Sequence, residues 1–582
     1  MQPTQKIINS TRRINLWYVL LCVVMATFLV RLFYLQVIKH DYYKKAALAS
    51  QLKEYIIPAE RGVIEAHEGD KILPLVLNET LYTLFADPKY IKDADGAAKQ
   101  VQKIIGGNAG DYAKEMRAAS RYAVLAKKLD RNQKDNLDKL NIKGLGTREE
   151  PYRTYPQNEL AAQLLGFVND DGEGKYGIEQ ALNSQLKGTP GELKAITDAE
   201  GIPLVANKDN VVTQPKPGKK LVLTVDLSME QQLQDILKDG VDAVHSTSGS
   251  ALIMDPYTGA IKAMVNYPTY NPAEFSKVKD ASVFNNAAVS SPLEIGSVMK
   301  PLTMASALNQ GVVNMGTTYY DPSHWTVDNH TITNIEEDGG AGTKSMQDIL
   351  QLSLNTGATW LLMQMGGGEI NQKARVAWND YMVNHYHFGK ATGIEQGYED
   401  DGSVPDPVKG FGLNIQYANT AFGQGLTVTP LQLGAALSSV LNGGTYYRPR
   451  LVDQLVDSSG KVDQKQPDIL NHSVVSAQVS DNLQQLMEYV VSKNIVPKFR
   501  PGYIIGGKTG TAQIADPAGG YYPDKYNGMY MGFVGGDKPQ YVVVVRVNEP
   551  HGVKYAGSGA AQPIFVKTVN MLIDNFGVTP KN

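Results

Sequence analysis

Apolar positions along this chain fall into three regimes. From Ile14 to Val30 (INLWYVLLCVVMATFLV) they run without a charge, Arg31 interrupts, and LFYLQVI carries the run on to Ile38. A stretch of that length predicts a single transmembrane helix, with Arg31 snorkelling to an interface and Trp17, Tyr18 and Tyr34 in the interfacial belts. Residues 40–215 mix short strand-like runs (Glu54–Ile57, Leu81–Ala86) with a charged helical stretch at 91–140, and Val211–Lys220 (VVTQPKPGKK) predicts a linker. From Leu221 the texture becomes α/β. It predicts a strand at Leu221–Val225, a helix from Ser228 to about Val244, and a hairpin of Ser250–Met254 and Ala260–Val265 around Asp255-Pro-Tyr-Thr-Gly259. Tyr530–Val534 and Tyr541–Val547 predict two more strands, and a last helix runs from about Ala560 to Asn575. Strands at both ends with helices between them predict one mixed sheet, built from distant segments and flanked by helices.

The domain expectation is therefore a tail (1–13), an anchor (14–38), an α+β domain (40–215) and an α/β domain (220–577). Ala47-Leu48-Ala49 resembles a signal-peptide cleavage site, but the apolar run is too long and charges separate the two, so an uncleaved anchor is expected. Lys6, Arg12 and Arg13 precede the span with no acid among them, which favours a cytoplasmic N-terminus and an extracytoplasmic bulk. Hydrophobic residues at 42% and charged residues at 20% exclude disorder as the main state, and a net charge of -3 argues against a nucleic-acid partner on bulk charge. The one cysteine, Cys22, excludes an intramolecular disulfide and a cysteine metal cage, and leaves the large part thiol-free, as suits an oxidising exterior. His385 and His387 have no third ligand near them in sequence and read as part of a solvated loop or strand pair; no metal is expected.

The chemistry lies between the terminal strands. Gly296-Ser297-Val298-Met299-Lys300 precedes the apolar run Leu302–Leu308, and Pro301, tolerable only in a first turn, puts a helix start here with Ser297 at or near the N-cap. Lys300 then lies one turn along on the same face, and a desolvated lysine can take a serine proton. Ser-x-x-Lys alone is weak: it also occurs at Ser50–Lys53, Ser184–Lys187, Ser276–Lys279 and Ser458–Lys461, where a cap plus a solvated lysine is the plainer reading. Two further elements select Ser297. Ser353-Leu354-Asn355 follows 56 residues later, at the end of a predicted helix Ser345–Leu352; its hydroxyl would relay a proton and its amide would hold a substrate carbonyl. Lys508-Thr509-Gly510-Thr511 follows after 155 more, on a strand whose lysine and hydroxyls would hold a carboxylate. Gly510 would let a substrate backbone approach, and an edge strand there could pair with an extended peptide.

Ser-x-x-Lys, Ser-x-Asn and Lys-Thr-Gly in this order form the triple of class A β-lactamases and penicillin-binding proteins. Further segments resemble class B penicillin-binding proteins: Arg31-Leu-Phe-Tyr-Leu-Gln36 at the anchor's end, Arg61-Gly62-Val63-Ile64, Arg153-Thr-Tyr-Pro156, Leu160–Val168 and Tyr176-Gly-Ile-Glu179 in the pedestal, and Asp255–Gly259, Phe422-Gly-Gln-Gly425 and Thr429-Pro430 in the transpeptidase part. Two departures are visible. Ile295 stands where the family usually has proline, and Glu65-Ala-His-Glu-Gly69 where it tends to have Asp-Arg-Asn-Gly. The resemblance implies a peptidoglycan D,D-transpeptidase without cofactor, acting in division or elongation. Ser297 would be the nucleophile, Lys300 the base, Ser353 and Lys508 proton relays, and Asn355 part of the catalytic set. Thr509, Gly510 and Thr511 would bind substrate, and the N–H groups of Ser297 and Thr511 would form the oxyanion hole. The implied partners are stem peptides ending in D-Ala-D-Ala, β-lactams, the lipid bilayer and a multi-span membrane glycan polymerase. A D,D-carboxypeptidase, a membrane-anchored serine β-lactamase or β-lactam sensor, and a non-enzymatic scaffold are the alternatives.

Overall fold

A computed structural model describes residues 4–44, 52–196, 211–334, 340–495 and 499–581. The chain divides into two compact units, Met1–Glu60 with Gly188–Pro217, and Arg61–Lys187 with Gly218–Asn582.

In the smaller unit, Thr4–Phe33 is one helix that continues as a π turn, Tyr34–Ile38. The stretch Ile14–Ile38, 25 residues long, is apolar and long enough to cross a membrane, and none of it is buried. A three-stranded antiparallel sheet joins Leu52–Ile57, Gly191–Ile196 and Val211–Thr213. The first residues of the expected linker are thus a strand. Val211 and Val212 are β-branched and find the ladder of Glu192–Lys194, and pairing of this kind overrides a Pro/Gly-rich neighbourhood. The Ala47–Ala49 triplet lies outside the described residues.

The larger unit holds two main sheets. The first contains β1 (Ser248–Met254), β2 (Ile261–Tyr267), β3 (Ile504–Ala515), β4 (Tyr521–Gly535) and β5 (Pro539–Asn548), in the spatial order β2-β1-β5-β4-β3. It is built from both ends of the α/β region, as the pattern predicts. Every pairing within it is antiparallel: β1–β2 and β3–β4–β5 are joined by short turns, and β1 and β5, far apart in the chain, pair antiparallel through tertiary packing. Val542 and Val544 enter one core while Val543, Val545 and Val547 enter the other, which explains the unbroken valine run of a strand buried on both faces. Helices α1 (Leu227–Ala243) and α6 (Gln562–Asn575) cover the second face through Leu233, Leu237, Phe565 and Leu572. The other face packs the core that contains α2 (Lys300–Asn309), α3 (Asn355–Met365), α4 (Pro430–Leu441) and α5 (Ala477–Asn494).

The second sheet is the mixed one. Lys220–Asp226 pairs parallel with Ile64–Glu68 and antiparallel with Val452–Val456, and the long strand Lys71–Ala86 carries Ala123–Leu129 and Leu145–Thr154. The stretch at 91–140 is not continuously helical: helices Ala94–Ile105, Ala109–Glu115 and Arg131–Asp138 are interrupted by the strand Ala123–Leu129, recruited by the free edge at Tyr82–Ala86. Arg61, Arg153 and Glu179 meet here. Glu179, fully buried, accepts from Arg61 Nε and Arg153 Nε, both at 2.7 Å, and Arg153 Nη1 donates to Asn78 at 2.7 Å. Gly62 is obligatory, since a Cβ there would lie 1.8 Å from the Lys219 carbonyl oxygen.

His385 and His387 are not a solvated pair. His385 sits in a π turn, Tyr381–His385, stacked on Tyr381 at 4.3 Å, and His387 packs on Tyr446 at 4.5 Å. Aromatic packing has taken the place of hydration. Among the described residues no group of three or more His, Cys, Asp or Glu is placed to hold a metal ion.

Candidate active site

The turn that carries Ser297, the expected nucleophile, is short and tightly held. Gly296 takes the left-handed conformation (φ 59°), and Gly296–Met299 form a single 3-10 turn that leads directly into α2. Pro301 occupies the first turn of α2, as its missing N–H allows. Ser297 therefore lies inside the entry turn rather than at a capping position, and its hydroxyl caps no helix N–H. It is half-buried, and Lys300 Nζ lies 2.9 Å from its Oγ.

Lys300 is completely withdrawn from solvent. Its Nζ is 3.1 Å from Ser353 Oγ and 2.8 Å from Asn355 Oδ1, and it also donates to the Ser353 carbonyl. Ser353 reaches it with two oxygens because its backbone is left-handed (φ 58°), a conformation that costs a non-glycine residue about 1–2 kcal/mol. Strain of that kind persists where its surroundings over-determine it. Leu354, fully buried, anchors the segment through its N–H to the Ile349 carbonyl at 2.9 Å, and Asn355 opens α3. Asn355 Nδ2 donates to the Thr333 carbonyl at 3.0 Å, so one of its two amide hydrogens is already engaged.

The Lys-Thr-Gly element lies on β3, which is the edge of its sheet, as expected. Lys508, Gly510 and Ala512 point to the buried side, while Thr509, Thr511 and Gln513 stay partly exposed. Lys508 is 1% exposed and donates to the Thr509 carbonyl (3.1 Å) and Oγ1 (3.3 Å). Its influence on Lys300 is through charge. Burial pushes the Lys508 ammonium down to about 7. Burial, and then repulsion from Lys508, hold Lys300 well below the ordinary lysine range. Thr511 Oγ1 accepts from the Gly557 N–H at 3.0 Å and keeps its own hydrogen to donate.

Gly510 has a packing reason beside the expected one. A Cβ there would lie 2.6 Å from the Ile295 carbonyl oxygen and 3.0 Å from Val298, so the missing side chain makes room for the nucleophile turn. A Cβ on Gly296 would in turn meet the Thr511 carbonyl oxygen at 2.6 Å. The turn and the edge strand thus touch backbone to backbone.

The geometry fits a lysine base. Asn355 Oδ1 and the Ser353 carbonyl can only accept, so they take the two hydrogens of a neutral amine, and its lone pair is left for a serine hydroxyl. A neutral amine is also what burial favours. The other described Ser-x-x-Lys copies build nothing comparable: Lys187 pairs with Glu173, and Lys279 and Lys461 are exposed. Ser50 lies outside the described residues. Sequence reasoning missed two residues beside the site, Glu294 and Tyr521. The signal for the first was an acid set between the buried Leu293 and Ile295, three residues before the nucleophile.

Residues 249–570 match the penicillin binding protein transpeptidase domain, and residues 56–223 the penicillin-binding protein dimerisation domain. The chain is 30% identical over 585 residues to Stage V sporulation protein D of Bacillus subtilis (strain 168), covering 99% of this chain and 88% of that protein. It is 28% identical over 576 residues to the peptidoglycan D,D-transpeptidase FtsI of Escherichia coli (strain K12), covering 97% and 92%. The fold is similar to that of penicillin binding protein 2X from Streptococcus thermophilus, with a TM-score of 0.71 at 23% identity over 90% of this chain and 80% of that one. With a transpeptidase match over more than half its length and a relative aligned along nearly all of it, this chain belongs to the class B penicillin-binding proteins.

Proposed function

We propose that this chain is a peptidoglycan D,D-transpeptidase working through an acyl-enzyme on Ser297. Lys300, as the neutral amine, takes the Ser297 proton while Oγ attacks the penultimate D-Ala carbonyl of a stem peptide. The proton passes to the departing amine, with Ser353 as relay, and the terminal D-Ala leaves. The amine of a neighbouring stem peptide then attacks the ester, loses its proton through the same groups and restores the Ser297 hydroxyl. The N–H groups of Ser297 and Thr511 stabilise the tetrahedral oxyanion, a role supported by the backbone contact between Gly296 and Thr511. Lys508, Thr509 and Thr511 bind the substrate carboxylate, Gly510 keeps the strand close to the nucleophile, and Asn355 orients Lys300. A β-lactam acylates Ser297 by the same route.

The observation that carries this reading is the convergence of Ser297, Ser353 and Asn355 on the buried Lys300. Residues 14–38 act as a single membrane anchor, 40–215 as a pedestal and 220–577 as the catalytic part, held on the extracytoplasmic side. The strands being crosslinked come from a separate multi-span glycan polymerase, a reading supported by the dimerisation-domain match over residues 56–223, ahead of the transpeptidase domain.

The test is two-fold. A penicillin adduct mapped by mass spectrometry should fall on the peptide containing Ser297, and Ser297→Ala should abolish it. With lipid-linked precursor and a membrane polymerase, the full-length protein should release D-Ala in step with crosslinks; release without crosslinks would make it a carboxypeptidase.

A further inference from the structure

The hairpin that carries the Lys-Thr-Gly strand outruns its sheet. β4 joins β5 only from Gly528 onward, so Ala512–Ala515 and Tyr521–Asn527 form a two-stranded ribbon with no third strand beside it among the described residues. Its register is irregular between Gln513 and Ala515, and Ala515–Tyr521 is the closing pair of an exposed tip. A ribbon of two strands is at best marginally stable alone, so its position depends on its ties.

Two ties run to Glu549: an exposed ion pair from Lys525 at 3.2 Å, and the Glu549 N–H donating to Asn527 Oδ1 at 3.3 Å. A third runs to the nucleophile turn. Glu294 Oε1 accepts from the Tyr521 hydroxyl at 2.9 Å and from the Gly425 N–H at 2.9 Å, while its Oε2 is buried without a hydrogen-bond partner. The Gly425 loop is itself fixed to the turn, because the Gly296 N–H donates to the Gly423 carbonyl at 2.9 Å. Glu294 therefore joins three segments: the turn that presents Ser297, the Phe422–Gly425 loop and the outer ribbon whose base is Thr511. Burial holds its carboxyl above the ordinary carboxylate range, and the bonds from Gly425 and Tyr521 act against that shift.

Resting on the reading of Ser297 as nucleophile, we infer that Glu294 and Tyr521 are a positioning pair: their hydrogen bond latches the ribbon to the nucleophile turn and so sets Thr511 against Ser297 for acylation. Neither residue touches the reacting atoms. The ring of Tyr521 is partly exposed, so losing its hydroxyl removes the latch with little loss of packing.

The experiment measures the second-order rate constant for acylation by a fluorescent penicillin in the full-length protein, together with the melting temperature. Tyr521→Phe and Glu294→Ala should each slow acylation about tenfold, a change that corresponds to roughly 1.4 kcal/mol. The double variant should be no slower than the worse single one, because both break one contact. Glu294→Gln, whose amide oxygen still accepts both bonds, should stay within about twofold of wild type. Tyr521→Phe should melt within a degree or two of wild type, which separates the latch from general stability. Wild-type acylation in Tyr521→Phe, multiplying losses in the double variant, or a Glu294→Gln as slow as Glu294→Ala would each overturn the latch. If the adduct in wild type maps away from Ser297, it is the underlying assignment that fails.

Discussion

Lys300 and Lys508, one from a helix and one from the sheet edge, are both buried, and the charge of Lys508 helps to hold Lys300 neutral. The two lysines are therefore coupled, and if Lys300 is the proposed base and Lys508 the proposed anion binder, pH should act on their roles in opposite directions. Acylation needs Lys300 unprotonated, so its rate should rise with pH through the depressed Lys300 ionisation. Carboxylate capture needs Lys508 protonated, so for a carboxylate-bearing β-lactam the second-order constant should fall again as Lys508 deprotonates near 7. An activated ester without a carboxylate should show the rising limb alone. In Lys508→Met the repulsion is gone, the Lys300 ionisation moves up, and the rising limb should shift to higher pH. A pH–rate profile for both substrates checks this, and identical profiles would reject the division of labour.

Lys508 also bears on stability. Its folded ionisation, at about 7, lies below its ordinary value of 10.5, so between those values the unfolded chain holds one more proton than the folded one. Its contribution to stability should therefore rise with pH across that window, be complete above it, and be lost as pH falls through about 7. Lys508→Met removes the buried amine, so at neutral pH the variant should melt a few degrees higher than wild type while losing reaction with the carboxylate-bearing substrate. Differential scanning fluorimetry across this range gives the answer.

Ser353 separates strain from chemistry. Ser353→Ala and Ser353→Gly both delete the hydroxyl and should slow acylation alike, by roughly 10²-fold if it relays a proton. Only glycine removes the penalty of the left-handed backbone, so Ser353→Gly should be the more stable of the two by about 1 kcal/mol. Paired acylation rates and melting curves test it.

Asn355→Asp should convert a neutral acceptor into a charged one 2.8 Å from Lys300. The carboxylate would favour the ammonium, raise the Lys300 ionisation and reduce acylation at neutral pH about tenfold for every tenfold gain in its proton affinity. Activity should return as pH is raised. Asn355→Ala, with no charge to titrate, should show no such recovery, and the contrast is read from rates on either side of neutrality.

Much of this protein was legible in its sequence, for reasons of local physics. An apolar run as long as Ile14–Ile38 has few alternatives to a helix long enough to cross a bilayer. Hairpins announce themselves through alternation and turn residues, as at Asp255–Gly259. The meeting of Ser297 and Lys300 was legible because a serine and a lysine three residues apart fall on one face of a turn. What the sequence could not carry was contact between distant segments. The strand Ala123–Leu129 sits among helices because a partner edge was free, not because its own residues demand it. The left-handed Ser353, the room that Gly510 makes for Ile295, and the bond from Tyr521 to Glu294 each join segments that only packing brings together. Lys300 was placed beside Ser297 by local spacing, but its depressed ionisation was not legible, for the same reason. Its low affinity for a proton comes from burial and from Lys508, 208 positions along the chain, and neither is encoded in its neighbours.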